Sequence, residues 1–206
     1  LGRIRKPFWE LGVKCPPRSS FSKPLDTKPN NCSNMGLGGW AITEQCFEWM
    51  LANVPSGSKV LEFGSGMGTG ELVKHFEMTS IEQDSFWLNG FSGSRYIHAP
   101  LDGHWYSWDA LEAGNLEDDY AMILIDGPTR FSTTTGQNSE TARMGICDYY
   151  FANSVRFHDC FIVIDDTNRP KDMLLVEFFL KQGFEKITEQ RDDEKQFTVV
   201  RKNVNP

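Results

Sequence analysis

From about residue 40 onward, short runs of apolar residues alternate with stretches in which apolar positions recur every three or four residues. The runs predict strands and the spaced stretches predict helices. Thr43 is a good N-cap for an amphipathic helix running to about Ala52. Lys59–Phe63 reads as the first strand, followed by a helix from about Gly68 to Phe76. Further strands are expected at Thr79–Gln83, Arg95–Ala99, Ala121–Asp126 and Phe161–Asp165. The fourth, Ala121-Met122-Ile123-Leu124-Ile125-Asp126, is apolar on both faces, as a central parallel strand is. A helix from about Glu140 to Phe157 precedes the fifth strand, and a helix over Lys171–Gln182 follows it, stopping at Gly183. The chain then closes with a hairpin: Phe184–Glu189, a charged turn at Arg191–Lys195, and Phe197–Arg201. Alternating strands and helices predict an α/β fold with a mostly parallel sheet and helices on both faces.

Composition narrows the class. At 206 residues the chain suits one α/β domain with a proper core. No apolar stretch approaches the roughly 20 residues needed to span a bilayer, so no membrane insertion is expected. Net charge is −7, but residues 1–30 carry seven Lys or Arg against two acids, which leaves the remainder at −12. A body this acidic is a poor match for a phosphate backbone, which excludes nucleic acid as the expected partner. The basic lead-in, with Pro16-Pro17, Pro24 and Pro29, reads as an extended arm over residues 1–37, ahead of a single domain over 38–206. Five cysteines, with no C-x-x-C spacing, indicate neither a zinc site nor a disulfide framework. They favour a reducing, cytoplasmic setting. A chain that starts at Leu1 rather than Met suggests processing, or a domain cut from a longer protein.

The most informative stretch is Val60 to Gly70, Val-Leu-Glu-Phe-Gly-Ser-Gly-Met-Gly-Thr-Gly. It suits a buried strand turning directly into a helix, with backbone bare enough for a ligand to lie against. A dinucleotide fingerprint is G-x-G-x-x-G, and here Thr69 stands at the third glycine position. Glu62, two residues before Gly64, would also repel a phosphate and favour a cation or an amine. S-adenosylmethionine (SAM) carries a sulfonium, an ammonium and no phosphate. This E-x-G-x-G pattern resembles motif I of the class I SAM-dependent methyltransferases. Their fold is Rossmann-like, with a seven-stranded sheet whose last strand is antiparallel. In that family an acid at the end of the second strand accepts from both ribose hydroxyls, a role the resemblance gives to Glu82. It implies cofactor-binding roles for Glu62, Gly64, Ser65, Gly66, Gly68, Glu82, Gln83, Pro100 and Leu101.

Ligands of open parallel sheets bind beyond the carboxyl ends of the strands. Strand four ends there in Asp126, and strand five in Asp165 with Asp166 beside it. Converging carboxylates repel unless one holds a proton or a divalent cation sits between them. An all-oxygen set favours Mg²⁺ or Mn²⁺ over zinc. A metal at Asp126, Asp165 and Asp166 would ease deprotonation of a hydroxyl; the alternative is general-base catalysis by Asp126, Asp165 or His104.

Ile125-Asp126-Gly127-Pro128, Asp165-Asp166-Thr167-Asn168-Arg169 and Tyr96-Ile97-His98-Ala99-Pro100-Leu101 look like the sugar and polysaccharide O-methyltransferases, which act on glucuronoxylan or on macrolide sugars. The resemblance implies SAM-dependent O-methylation of a sugar or glycan hydroxyl, within or alongside a longer glycan-synthesis protein. The histidines of those enzymes are not matched, because Asp165 and Thr167-Asn168-Arg169 stand at their positions. Substrate candidates are Arg130, Arg143, Trp105 and Tyr106, the aromatics (with Trp108) as stacking platforms whose loop position argues against complete burial. Catechol-type O-methyltransferases are a rival resemblance through Asp165-Asp166. A non-catalytic SAM- or glycan-binding module and a nicotinamide-dependent enzyme are rivals of other classes. DNA amino-methylating enzymes are set aside, since Asp126-Gly127-Pro128-Thr129 lacks their P-P-aromatic loop.

Overall fold

A computed structural model describes residues 42–129, 142–192 and 195–202. The expected arm and Arg130 lie outside the described residues. Nine strands are described: β1 (Lys59–Phe63), β2 (Glu77–Glu82), β3 (Ser94–His98), β4 (Leu101–Asp102), β5 (Trp105–Tyr106), β6 (Met122–Ile125), β7 (Phe161–Ile164), β8 (Phe184–Arg191) and β9 (Gln196–Lys202). The helices are α1 (Glu44–Asn53), α2 (Met67–Leu72), α3 (Trp108–Ala113), α4 (Gly145–Ala152) and α5 (Pro170–Lys181).

Seven strands form one sheet in the order β3-β2-β1-β6-β7-β9-β8. β3, β2, β1, β6 and β7 are parallel neighbours, while β9 runs antiparallel to both β7 and β8. The chain order reverses direction between β1 and β6, and it is there that the carboxyl ends part to leave a crevice.

Alternate residues of each central strand serve two cores. Val60, Met78, Met122, Leu124 and Val163 pack with Cys46 and Met50 of α1 and Leu72 of α2. Leu61, Phe63, Ile81, Ile123, Ile125, Ile162 and Ile164 pack on the other face with Leu111, Ile146, Tyr149, Leu175 and Phe179, from α3, α4 and α5. Both faces are covered, which is why the strands read as unbroken apolar runs rather than alternating ones. Thr43 caps α1 as its sequence predicts, accepting from the Cys46 amide at 3.1 Å.

Three elements depart from the sequence expectation. α2 ends at Leu72 rather than near Phe76, because the amides of Lys74 and His75 bond three residues back and tighten the chain into a turn. α4 stops at Ala152, where Asn153 leaves helical geometry (φ −131°, ψ 34°) and its side-chain amide donates to the Tyr149 carbonyl. A separate 3₁₀ turn, Ser154–Phe157, completes the segment. The loop expected around Trp105 is the antiparallel β4–β5 hairpin followed by α3.

Opposite the crevice, Arg156 binds this frame together. Its guanidinium donates to the carbonyls of Glu117 (2.7 Å) and Leu116 (2.9 Å) and to the Tyr149 hydroxyl (3.2 Å), and it pairs with Asp118 at 2.9 Å. It ties the chain entering β6 to α4. Replacing it strands acceptors that no shorter side chain reaches. Arg156→Ala is expected to cost about 2 kcal/mol in denaturant unfolding, with Arg156→Lys restoring less than half.

Candidate active site

At the end of β1 the chain turns sharply. Gly64 has φ +91°, and a Cβ there would lie 2.6 Å from the Gly127 nitrogen. The backbones after β1 and β6 therefore touch, which only glycine on both sides permits. Near Gly66, by contrast, no atom of the described residues beyond its chain neighbours lies within 4 Å of a Cβ position. The turn is packed shut at Gly64 while Gly66, two residues on, faces open space, as a surface meant to take a ligand requires.

Glu62 is expected to face that ligand; the structure turns it inward. It is buried, and its carboxylate accepts from the Thr69 hydroxyl (2.9 and 3.0 Å) and the Ser80 hydroxyl (2.6 Å). The Thr69 oxygen in turn accepts from the Gly66 amide at 3.1 Å. This explains the threonine at the third glycine position, since its hydroxyl fastens the turn to Glu62. Ser80 also bonds Ser94 at 2.7 Å, and Ser65 bonds both Thr69 and Tyr96, each at 3.1 Å. Thr69, Ser80 and Tyr96 were not anticipated from the sequence. Hydroxyls on neighbouring strands carry no motif of their own.

Glu82 ends β2 beneath the same turn. One oxygen accepts from the Ser65 amide (2.7 Å) and the other from the Asp84 amide (2.6 Å). Each carboxylate oxygen has a further lone pair, so the bidentate geometry needed for a diol is preset. Gln83 reaches across the end of β1 and donates to the Thr129 hydroxyl at 3.1 Å, while its own carbonyl oxygen is buried without a hydrogen bond. Pro100 and Leu101 follow β3, alongside Glu82, whose carbonyl accepts from the Ala99 amide at 2.9 Å. Gly68 is buried inside α2. Glu62 and Glu82 both lie under the turn, and neither offers a pyrophosphate a positive partner. The open Gly66 edge and preset Glu82 fit a cationic nucleoside such as SAM.

The three acids converge as predicted: Asp126, Asp165 and Asp166 each offer an oxygen, all within 4.8 Å of one another. What balances them is on the chain itself. Arg143 donates through Nη2 to Asp126 Oδ1 (3.1 Å), Asp166 Oδ2 (3.2 Å) and the Asp126 carbonyl, and through Nη1 to the Asp165 carbonyl (3.0 Å). Lys195 Nζ lies 3.5 Å from Asp165 Oδ2 and 3.9 Å from Asp166 Oδ1, and Arg169 pairs with Asp166 at 2.6 Å. The all-oxygen donor set suits a hard cation, yet three basic side chains already stand among these oxygens. A divalent ion does not fit this arrangement. Arg143, expected to greet substrate, is instead the counter-ion of the cluster, with its side chain 12% exposed. Lys195 went unnoticed in sequence because β9 brings it back from 30 residues away. Asp166 adopts φ +59°, a strained left-handed conformation that aspartate tolerates better than most residues.

The other expectations divide. Asp126 keeps 22% of its side chain exposed, whereas Asp165 has none. His104 sits in the turn between β4 and β5 and does not join the cluster of Asp126, Asp165 and Asp166. Trp105 and Tyr106 are not platforms: they are 3% and 0% exposed, respectively. The hairpin tucks both rings against Phe63, with ring centroids 5.5 and 6.0 Å away. Trp108 is the exposed member of the three, tilted over Tyr149.

Burial raises these carboxyls. It pushes Glu62 up to about 8 against the opposing Ser80 and Thr69 bonds, and Glu82 up to about 7 against the Asp84 and Ser65 amides. Asp165 rises to about 7, through burial first and then the charges of Asp126 and Asp166. Asp126 rises through burial, opposed mainly by Arg143.

Neither a family model nor a curated protein sequence matches the chain. Solved structures do. The METTL16 MTase domain matches with a TM-score of 0.54 at 13% identity, over 78% of this chain and 66% of that one. The N-terminal domain of human METTL16 in complex with SAH gives 0.52 at 12% identity, over 78% and 68%. The glycopeptide N-methyltransferase MtfA complexed with SAM gives 0.48 at 12%, over 77% and 92%. At these identities what is shared is the fold, and the chain has the Rossmann-like fold of the methyltransferases. No described helix is long and apolar enough to cross a membrane.

A pH dependence follows from Glu62 and Glu82. Their folded pKa values exceed the ordinary 4.5, so the folded state binds more protons than the unfolded chain between about 4.5 and 8. Their stabilising contribution is complete below 4.5 and is lost as pH rises through 7 to 8. Thermal unfolding of the ligand-free protein should therefore show a melting temperature that falls from about pH 6 to about pH 8.5. Each group contributes up to about 1.4 kcal/mol per pH unit. A flat or rising profile would contradict the buried, proton-holding state of both glutamates.

Proposed function

We propose that the protein is a SAM-dependent O-methyltransferase acting on a hydroxyl, with a sugar of a glycan or glycoconjugate as acceptor. The observation that carries the reading is the placement of two unlike sites on one sheet edge. A cradle that suits a cationic nucleoside (Gly64, Ser65, Gly66, Glu82, Gln83) adjoins Asp126, the one member of the acid cluster with exposed carboxylate.

Bound SAM would supply an electrophilic methyl group; the chain's own groups do the rest. Glu82 accepts from the ribose hydroxyls, while Glu62, through Thr69, fixes the Gly66 turn. Pro100 and Leu101 border the adenosine end. Asp126 accepts the proton of the attacking hydroxyl. Burial raises its pKa above the ordinary carboxylate value, which makes it a stronger base than a free aspartate. Asp165, fully buried, orients Asp126 and is not itself within reach of an acceptor. Arg143 holds both in register, so the rate should come largely from positioning.

The sugar acceptor rests on the resemblance carried by Ile125-Asp126-Gly127-Pro128 and Asp165-Asp166-Thr167-Asn168-Arg169, not on aromatic stacking, which the buried Trp105 and Tyr106 no longer support. The acidic body favours a neutral sugar and disfavours nucleic acid, although the matched METTL16 domain is a methyltransferase domain of the same fold. A cytoplasmic setting and a place among other domains of a glycan-synthesis protein are part of the same proposal.

The test is transfer of labelled methyl from SAM to sugars, catechols and oligonucleotides, with and without EDTA. Label on a sugar, unchanged by EDTA, is expected, because Arg143, Arg169 and Lys195 meet the cluster's charge. Label on a catechol, or activity lost to EDTA and restored by Mg²⁺ or Mn²⁺, would assign the catechol-type, metal-dependent reading instead. Asp126→Asn should lower kcat by at least about 100-fold and leave SAM affinity within a few fold. Glu82→Ala should weaken SAM binding about tenfold or more in calorimetry.

A further inference from the structure

The three acids beyond β6 and β7 are unequally compensated. Asp166 Oδ2 takes two guanidiniums, Arg143 at 3.2 Å and Arg169 at 2.6 Å. Asp126 Oδ1 takes Arg143 at 3.1 Å. Among the described residues, the Asp165 carboxylate has only Lys195, 3.5 Å from Oδ2, while Arg143 reaches no further than the Asp165 backbone carbonyl. Asp165 is also the most deeply buried of the three, and its Oδ1 has no hydrogen bond. A buried carboxylate oxygen without a donor is unfavourable, and protonation removes the penalty. Asp165 is therefore where the cluster takes up a proton first. Asp126 and Asp165 each offer an oxygen, within 4.8 Å of one another, and the Asp165 carboxyl is placed to donate to Asp126. Asp126 is the member that also reaches the crevice, through its exposed carboxylate.

The other titratable groups around this pair come from four elements. Asp172 of α5 bears on it through Arg143, 3.6 Å away. Glu62 of β1, Cys46 of α1 and Tyr106 of β5, whose hydroxyl lies against Gly127, also act on it. Burial raises all three, which keeps the thiol and the phenol neutral. We propose that Asp165 is the proton store of the reaction: Asp126 takes the proton of the acceptor hydroxyl and passes it inward to Asp165, and the two carboxyls then share it. The acceptor's O–H bond breaks as its O–CH₃ bond forms, and the electron pair of the broken C–S bond stays on sulfur. A sulfonium, a hydroxyl and one carboxylate thus become a thioether, a methyl ether and one carboxylic acid. The proton later returns to solvent through Asp126. The inference rests on the SAM-dependent O-methyltransferase reading and deepens it. Asp126 touches the acceptor, and Asp165 acts through Asp126. Burial and the neighbouring charges of Asp126 and Asp166 raise Asp165 to about 7, so the store is filled below that pH and empty above it.

The experiment measures kcat against pH at saturating SAM, in EDTA, with the sugar that takes label in the panel above as acceptor. Wild type should lose activity as pH falls through about 7. Asp165→Asn leaves a fixed donor beside Asp126 and no store. Its kcat should fall about tenfold at the optimum, and its acid limb should move down by about one pH unit. Lys195→Met takes a positive charge away from Asp165, so its limb should move up instead. Substitutions that merely loosen the fold give no such opposed movements. A limb that stays in place in both variants, or moves the same way in both, would overturn the proposal, as would activity that requires added Mg²⁺. The ligand-free protein gives a second readout. Infrared difference spectra between about pH 6 and about pH 8.5 should show a buried carboxylic acid band in wild type that Asp165→Asn lacks. Identical spectra would overturn the store, and Lys195→Met keeps both readouts open if Asp165→Asn does not fold. Methyl transfer by wild type with no acid limb near 7 would overturn the store and leave the methyltransferase reading intact. Wild type that binds no SAM would remove that reading, and the proposal with it.

Discussion

The crevice depends on one guanidinium. Arg143 donates to the carbonyls of both Asp126 and Asp165, the first residues past β6 and β7, and to the carboxylates of Asp126 and Asp166. Unit charges about 4 Å apart interact by roughly 4 kcal/mol at the effective dielectric of a partly buried site. An acid cluster of this kind would push the two strand ends apart without a positive centre. Arg143 supplies that centre and, with its planar fork, also fixes geometry that a lysine would leave loose. The same contact joins the ends of two parallel neighbours, β6 and β7, and holds the Asp126 carboxylate.

The acid ladder along the sheet edge divides into two kinds of carboxylate. Glu62 and Asp165 are turned inward, and they act by fastening what surrounds them. Glu82 is as buried as Glu62 but keeps a further lone pair on each oxygen, and Asp126 keeps exposed carboxylate. On the proposed reading the chemistry falls to these two, and positioning to Glu62 and Asp165. Burial raises the pKa of both inward-turned acids, at a cost to stability at neutral pH. Such a cost is characteristic of functional sites, where local rules of burial are broken and offset elsewhere.

Much of this was legible in the sequence because the fold is written in local pattern. Apolar runs such as Met122–Ile125 and Phe161–Ile164, the Gly64–Gly70 turn and the closing hairpin mark the strands and their succession along the chain, whereas the antiparallel last strand came from the family resemblance and the strand order from long-range pairing. The positions of Glu62, Glu82, Asp126 and Asp165 followed, because each lies at or within a residue of a strand's carboxyl end. Their partners did not. Thr69, Ser80 and Tyr96 meet through hydroxyls on different elements. Lys195 meets Asp165 only because β9 folds back beside β7. The aromatics misled for a related reason. Trp105 and Tyr106 look like a loop motif, but a two-residue strand pair, too short to show a period, carries them into the core.

Gly145 shows how tightly that burial is specified. A Cβ there would fall 2.4 Å from the Trp105 ring, so the first residue of α4 has no side chain because the indole occupies its space. Arg143 lies two residues earlier. The hairpin that buries Trp105 and Tyr106 therefore also sets how close α4, and with it the guanidinium, approaches the strand ends. A slip in the hairpin would move Arg143 off the acids and draw the Tyr106 hydroxyl away from Gly127 in one step. On this view the core aromatics and the crevice charges form one mechanical unit. The aromatic packing sets the distance, and the ion pairs hold the direction.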